Sequence, residues 1–285
     1  MISASLCAST CKMRARSWLL PWGTAVALLL TGPLAAQTSS SNAQNTPPSL
    51  SACESVPPDT PHSDALRKVC EYAVTIPQRM PNFTCEQKAT RYLSGQPADV
   101  VTAMVTYEDG KESYRDIKSN GEAATDRKVL DSGTWSTGQF GAHLRSLFDT
   151  TNKVNFQFLH QDQIHGRRVL IFQYRIAHQD VPAWRLHVHG QVLAPPYHGQ
   201  LLINEDSGQL FRLQVVATEI PPAFPLRSAD LEIDYQDVSF GDGTSFVLPL
   251  QSVVNGSDHD GRNNSNVLEF RNCHKFRATS RIVPQ

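Results

Sequence analysis

Alternation of apolar and polar residues, repeated over most of the chain after Pro81, most constrains how this sequence can fold. Between Leu231 and Tyr235, for example, every second residue is apolar and the residues between are acidic. A period of two is typical of β-strands with one buried face. About ten such segments follow one another, separated by turn sequences such as Asp109-Gly110 and Glu205-Asp206-Ser207-Gly208. The pattern therefore predicts a succession of antiparallel strands.

Two segments instead repeat apolar residues at helical spacing. The first predicts a helix over residues 61–75, which we expect Pro77 to end. The second lies between residues 138 and 149, where Phe140, Leu144, Leu147 and Phe148 fall on one helical face. No strand–helix–strand alternation occurs, so parallel pairing is not expected. We predict an α+β fold in which one strongly curved antiparallel sheet, a half-open β-barrel, is covered or plugged by about two helices.

The N-terminal region reads as an export signal. Residues 1–36 combine basic residues with an apolar core and a small-residue end, as in a secretory signal peptide. Residues 37–59 are polar and proline-rich, which predicts a disordered tether. Residues 60–285 are then a single domain. The net charge of −1 gives no cationic field for nucleic acid, so no nucleic-acid partner is expected.

The cysteines suit an exported protein with disulfides. Of the 6 cysteines, Cys7 and Cys11 lie in the predicted signal peptide. The disulfide candidates are Cys53, Cys70, Cys85 and Cys273. Their spacing leaves the three possible pairings open, and free buried thiols are the alternative. Cys85 and Cys273 both fall in predicted strands and could join the first strand to the last.

No catalytic or cofactor motif stands out, so we expect neither an enzyme nor a cofactor. His187 and His189 share a strand face and could hold a metal in a hydrolase, but a third ligand at fixed spacing is missing and Arg185 shares the face. No metal is therefore predicted. Glu232 and Asp234 share another face, which we interpret as solvated, because glycosidase chemistry needs carboxyls facing across a cleft.

Aromatic residues concentrate in the predicted strands. Packing in a closed core is the default explanation, but on a half-open sheet the same residues could line an apolar cavity. The candidate ligand-binding residues are Phe156, Phe158, Phe172, Tyr174, Trp184, Phe211 and Tyr235.

One hairpin resembles a known family. Tyr197 to Leu213 is similar to the "G-x-L-x-I-D-x-x-T-G-x-V-x-R-L" hairpin of outer-membrane lipoprotein carrier-like proteins, with Asn204 and Ser207 in place of the commoner Asp and Thr. The segment from Tyr235 to Phe276 resembles the closing strands of uncharacterised exported bacterial relatives of that group. The likeness covers residues 80–285. It implies an incomplete antiparallel barrel whose helices lid an apolar cavity for acyl chains.

These observations together predict an exported protein of the bacterial periplasm or outer membrane surface. We expect a non-enzymatic monomer that binds an apolar or lipidated ligand, such as a lipid or lipoprotein acyl chain, on the concave face of its sheet. The alternative is an interaction or sensor domain of the envelope with a protein partner, and a metal-dependent hydrolase built on His187 and His189 is the less favoured one.

Overall fold

The computed structural model describes residues 50–125, 137–177, 184–188, 190–240 and 242–276. The helical elements are a 3₁₀ turn at Leu50–Ser55, helix α1 (Ser63–Arg79), helix α2 (Ala142–Ser146) and a 3₁₀ turn at Thr150–Asn152. The strands are β1 (Phe83–Leu93), β2 (Gln96–Glu108), β3 (Lys111–Ser119), β4 (Glu122–Ala123), β5 (Asn155–Ile164), β6 (Arg167–Ile176), β7 (Leu186–Val188), β8 (Gln191–Leu193), β9 (Tyr197–Asn204), β10 (Leu210–Ala217), β11 (Leu226–Ser239), β12 (Ser245–Asp258) and β13 (Asn263–Lys275).

Eleven of the described strands form one antiparallel sheet in the order β4-β3-β2-β1-β13-β12-β11-β10-β9-β6-β5. The remaining two, β7 and β8, form a separate hairpin. The predicted α+β class and the single large antiparallel sheet are therefore confirmed. Among the described strands the sheet is open, with β4 and β5 at its edges. Its strong curvature and half-open barrel shape stay predictions.

The sheet is not one simple meander. Strands β1 to β4 form one meander and β9 to β13 form another, and the pairing of β1 with β13 joins the two. This ladder runs from Phe83 opposite Lys275 to Leu93 opposite Asn264. The first of the described strands therefore lies against the last, in the interior of the sheet.

Helix α1 packs on one face of the sheet. Its buried side recurs at helical spacing, and its residues Leu66, Val69 and Ala73 are fully covered. The helix is longer than predicted, because it continues through Pro77 and ends only at Arg79. A proline this close to the C-terminus removes a single backbone hydrogen bond of the helix. Met80 then turns extended, as expected for a residue before proline.

Helix α2 is a short helix within a compact segment. It follows Gly141, whose φ of 123° favours glycine, and only Ala142–Ser146 are helical. The four apolar residues that predicted this helix are all buried: Phe140, Leu144, Leu147 and Phe148. The predicted face is therefore confirmed, although most of it lies on the flanking turns.

All four predicted disulfide candidates are paired. Cys53 bonds to Cys70 and thereby ties the 3₁₀ turn at Leu50–Ser55 to α1. Cys85 bonds to Cys273 and links β1 to β13 within the sheet. The second bond joins the first and last strands, as their positions in predicted strands suggested.

The C-terminal part of the predicted tether is ordered rather than disordered. Ala52, Cys53 and Val56 are buried in the same core as α1, because the disulfide and their apolar side chains hold this turn against the helix. Residues 1–49, with the predicted signal peptide, lie outside the described residues. All described residues belong to one compact unit, Asn45–Gln285. None of the helices described is long and apolar enough to cross a membrane.

Loss of the two disulfides should have unequal effects. The Cys85–Cys273 bond spans 188 residues and the Cys53–Cys70 bond spans 17. Loop entropy then predicts a loss of about 5 kcal/mol for the Cys85→Ala/Cys273→Ala pair and about 3 kcal/mol for Cys53→Ala/Cys70→Ala. Urea unfolding of both double variants measures the difference. A larger loss from the Cys53/Cys70 pair would contradict this expectation.

Candidate functional site

A crevice of about 380 Å³ lies between α1 and one end of the sheet. Its first wall is a side of α1, from Lys68 to Met80. Its second wall combines the turn between β9 and β10 with the adjoining ends of β11 and β12. Such a volume is within the range of small-molecule sites.

Apolar and polar side chains share the crevice surface almost equally. The apolar ones come from both walls: Val69, Ile76 and Met80 from α1, and Leu210, Phe246 and Val247 from the strands. Tyr72 also lines the crevice, and its hydroxyl donates a hydrogen bond to the carbonyl of Val247. This bond fixes the distance between helix and sheet. Burial first, then the charges of Tyr107 and Asp237, raise the pKa of Tyr72, so its hydroxyl stays a donor.

The glycine of the β9–β10 turn permits a close approach of α1. Gly208 has a φ of 71°, and a Cβ there would lie 2.6 Å from the Cδ atom of Lys68. The aliphatic stem of Lys68 therefore packs directly on the turn. The turn itself is closed by Asn204, whose side chain accepts a hydrogen bond of 2.8 Å from the Ser207 amide. The hairpin predicted from this sequence is confirmed.

The polar groups of the crevice lie along its rim. Lys68 and Arg79 are exposed on α1, and within the described part of the chain neither forms an ion pair. Asp237 contributes the one carboxylate among the lining residues, and it accepts a hydrogen bond of 3.2 Å from the Gln209 amide.

The sequence did not point to these residues as a site. Lys68, Tyr72, Thr75 and Arg79 follow each other at i, i+4, i+7 and i+11, so they share one side of α1. That spacing could have identified the stripe. It could not have shown that the stripe faces a gap, because the gap depends on where the β9–β10 turn lies.

The predicted ligand-binding aromatics lie elsewhere, and the described crevice is lined by none of them. Phe172, Tyr174, Trp184 and Tyr235 are buried, and Phe156 and Phe158 are partly buried against the same core. Their role in binding a ligand stays a prediction. Six of the seven candidates therefore belong to the core that α1 covers.

Rings from the covering segments pack on these aromatic residues. Phe148 stacks on Phe156 at 5.4 Å between ring centroids. Trp184 meets Tyr197 edge-on at 5.7 Å, and the ring of His62 lies 4.8 Å from Phe158. Such pairs stabilise the core beyond the area that they bury.

Phe211 is the exception, because it lies on the opposite face. The register between β9 and β10 shifts at this residue, and its ring packs against Val169, Ile171 and Leu202. The bulge turns Phe211 away from the main core. It therefore does not join the other six candidates.

A second cavity, of about 370 Å³, lies beside α2. Glu112 in its wall accepts hydrogen bonds from the Tyr114 hydroxyl at 2.7 Å and from the amides of Gly138 and Phe140 at 2.9 and 3.0 Å. Burial raises the pKa of Glu112, although these donors and Arg145 oppose the shift. The carboxylate thus anchors the segment that leads into α2.

His143 is a buried titratable group beside this cavity. Its Nε2 atom lies 3.0 Å from the carbonyl oxygen of Thr137, and burial lowers its pKa to about 4. The imidazole is therefore neutral at pH 7, and it binds the segment before α2 to the helix.

The residues considered for metal or acid–base chemistry do not assemble. His187 lies exposed on β7, and His189 falls outside the described residues. The described residues contain no group of three His, Cys, Asp or Glu side chains that could hold a metal. Glu232 and Asp234 both pair with Arg212 of the neighbouring strand, at 2.9 and 2.5 Å. These carboxylates therefore form a cross-strand ion-pair cluster, as expected for a solvated sheet face.

Comparison with known proteins gives matches to solved structures alone. No protein-family model and no curated protein sequence matches the chain. A LolA superfamily protein from Nitrosomonas europaea is similar over 75% of this chain and 94% of its own, with 11% identity and a TM-score of 0.41. A domain assigned to outer membrane lipoprotein sorting, from Vibrio parahaemolyticus, is similar over 76% of this chain and 95% of its own, with 7% identity and a TM-score of 0.41. A DUF1329 family protein from Desulfovibrio piger is similar over 76% of this chain and 95% of its own, with 9% identity and a TM-score of 0.40. The first two belong to the group that the Tyr197–Leu213 hairpin resembles.

The packing of Tyr174 depends on the absence of a side chain at Gly199. The Tyr174 hydroxyl donates a hydrogen bond of 2.5 Å to the Gln214 carbonyl, and it passes directly over Gly199. A Cβ at Gly199 would lie 1.8 Å from that carbonyl oxygen and 2.6 Å from the hydroxyl. We expect Gly199→Ala to lower the free energy of unfolding by about 3 kcal/mol. The matched control is Gly256→Ala, whose Cβ would meet only ordinary contacts at 3.6 Å; equal losses in urea unfolding would contradict the expectation.

His143 should make the protein less stable in acid. Its native pKa of about 4 lies below the reference value of 6.5, so the unfolded state binds more protons between these values. The contribution of His143 to the free energy of unfolding is complete above pH 6.5 and falls by about 3 kcal/mol as the pH drops to 4. We expect His143→Gln to remove most of this part of the slope. Urea unfolding at pH 7, 5.5 and 4 tests it, with the exposed His160→Gln as control; an unchanged slope in His143→Gln would refute it.

Proposed function

We propose that this chain is an exported, non-enzymatic binding protein of the bacterial envelope, and that its crevice holds the acyl chain of a lipid or lipidated protein. The observation that carries the proposal is the crevice itself: about 380 Å³ of space between α1 and the sheet, with apolar side chains on both walls. Burial of an acyl chain there would gain about 0.8 kcal/mol for each methylene removed from water.

The shape of the crevice supports a chain-like ligand. The lining residues of α1 run from Lys68 to Arg79, which is about 17 Å along a helix axis, and Met80 follows directly. Ile76 and Met80 contribute apolar groups to this wall, and Leu210, Phe246 and Val247 contribute them from the strands. An elongated lining with apolar groups on both walls suits an extended acyl chain better than a compact ring. The half-open, curved sheet predicted from the sequence belongs to this proposal, since a concave inner face would enclose such a chain.

The disulfides support export. Two bonds join all the cysteines of the described residues, and disulfides of this kind persist in oxidising compartments such as the periplasm. The signal peptide predicted over residues 1–36 agrees with that location. A soluble carrier or a sensor in the envelope would meet acyl chains there.

Filling the crevice should weaken acyl binding. Thr75 lies in the middle of the α1 wall, so Thr75→Trp would occupy space that the chain needs. Glu71→Trp places the same side chain on an exposed position of the same helix, outside the crevice lining. With delipidated protein and an uncharged fluorescent acyl ester, we expect saturable binding that Thr75→Trp weakens by at least about 10-fold and Glu71→Trp leaves unchanged. Absence of saturable binding to the unsubstituted protein would remove the proposal.

A further inference from the structure

We infer that the crevice selects an anionic amphiphile, a long acyl or alkyl chain ending in a carboxylate or phosphate, and that Lys68 binds this head group. The inference rests on the acyl-binding function proposed above and names the chemical class of its ligand. Four features of the crevice carry it: its charge balance, the state of its one carboxylate, the placement of Lys68 and the position of the apolar groups.

The charge balance of the lining favours an anion. Lys68 and Arg79 both line the crevice, and Asp237 is its one acidic lining residue. Within the described part of the chain, neither cation forms an ion pair. Several basic groups on the described strands do pair, as Arg212 does with Glu232 and Asp234. Two cations beside the crevice are therefore available to a negatively charged ligand.

Asp237 offsets only one of these two positive charges. Its carboxylate accepts a hydrogen bond of 3.2 Å from the Gln209 side-chain amide, and it lies exposed at the end of β11. A ligand anion at Lys68 or Arg79 would therefore meet a net positive rim.

Lys68 is the better placed of the two cations to bind the head group. Its stem is held on the turn at Gly208, where a Cβ would lie 2.6 Å from its Cδ atom. Holding the stem reduces the side-chain entropy that an ion pair would otherwise cost. The neighbouring lining residues Ser207 and Gln209 are polar, so this end of the crevice can solvate a head group.

The other end of the crevice is suited to the chain. Ile76, Met80 and Phe246 form an apolar region there, and a flexible methionine adapts to a chain of variable shape. Arg79 lies beside this region on the rim and adds a second, more distant positive charge. With its head group at Lys68 and its chain directed towards Met80, a ligand would place its charged part beside the polar residues and its apolar part beside the apolar residues.

The experiment compares amphiphiles that share a chain and differ in their head. Palmitate, hexadecyl phosphate, hexadecanol and hexadecylammonium compete with the uncharged fluorescent acyl ester for the delipidated protein. We expect both anions to displace the probe at concentrations at least about 10-fold lower than hexadecanol, and hexadecylammonium to be the weakest competitor. A stronger effect of palmitate would identify a carboxylate as the preferred head, and a stronger effect of hexadecyl phosphate would identify a phosphate.

Charge-removing variants test the role of Lys68. We expect Lys68→Gln to reduce the advantage of the anions over hexadecanol to within about 3-fold, with little change for hexadecanol itself. Arg79→Gln should have a smaller effect of the same sign. Arg67→Gln removes a charge from the neighbouring position of α1, outside the crevice lining, and should leave the selectivity unchanged.

The outcomes separate this inference from the function beneath it. Equal displacement by anions and hexadecanol would overturn the anionic class while acyl binding stands. Selectivity that survives Lys68→Gln, or is lost equally in Arg67→Gln, would overturn the assignment of Lys68. Failure of the uncharged ester to bind at all would instead remove the acyl-binding function.

Discussion

The pairing of β1 with β13 is the interaction on which the rest of the structure depends. These strands lie at opposite ends of the domain in sequence. Their pairing therefore closes a loop of nearly the whole domain, and it carries the entropy cost of that closure. The Cys85–Cys273 bond reinforces the ladder covalently. It merges two meanders into one sheet, and only the merged sheet offers α1 a continuous apolar face.

Helix α1 uses both halves of that face. Pro77 lies against Gly110 between β2 and β3, and Tyr72 bonds to Val247 in β12, so the helix spans the junction between the two meanders. The Cys53–Cys70 bond ties the N-terminal half of α1 to the 3₁₀ turn at Leu50–Ser55. The crevice lies where α1, held at these points, approaches the β9–β10 turn at Gly208. A stable gap of this kind needs rigid walls, and the disulfides and the sheet supply them.

The segment around α2 follows a different principle. The helix is too short to be stable by itself, and its position depends on buried polar contacts as well as on apolar burial. Glu112 binds the amides of Gly138 and Phe140, and His143 binds the carbonyl of Thr137. Burial raises the pKa of the first and lowers that of the second, and the hydrogen bonds oppose both shifts. The aromatic core is closed on this side by polar groups whose desolvation is offset by hydrogen bonds.

The sequence by itself determined the α+β class, the antiparallel strands, the hairpin at residues 205–208 and the buried face around α2, because each depends on local periodicity and turn chemistry. It also identified the four disulfide candidates. Their pairing depends on which strands and turns lie next to each other, and no local sequence pattern specifies that. Tertiary structure alone decided that α1 passes Pro77, that Phe211 turns to the opposite face at a bulge, and that a gap opens beside Lys68 and Arg79. The physical reason is that an amphipathic pattern indicates which residues are buried away from water, but not what they pack against. Whether such residues meet each other or border an open crevice depends on the distance between elements, and that distance is set by contacts remote in sequence.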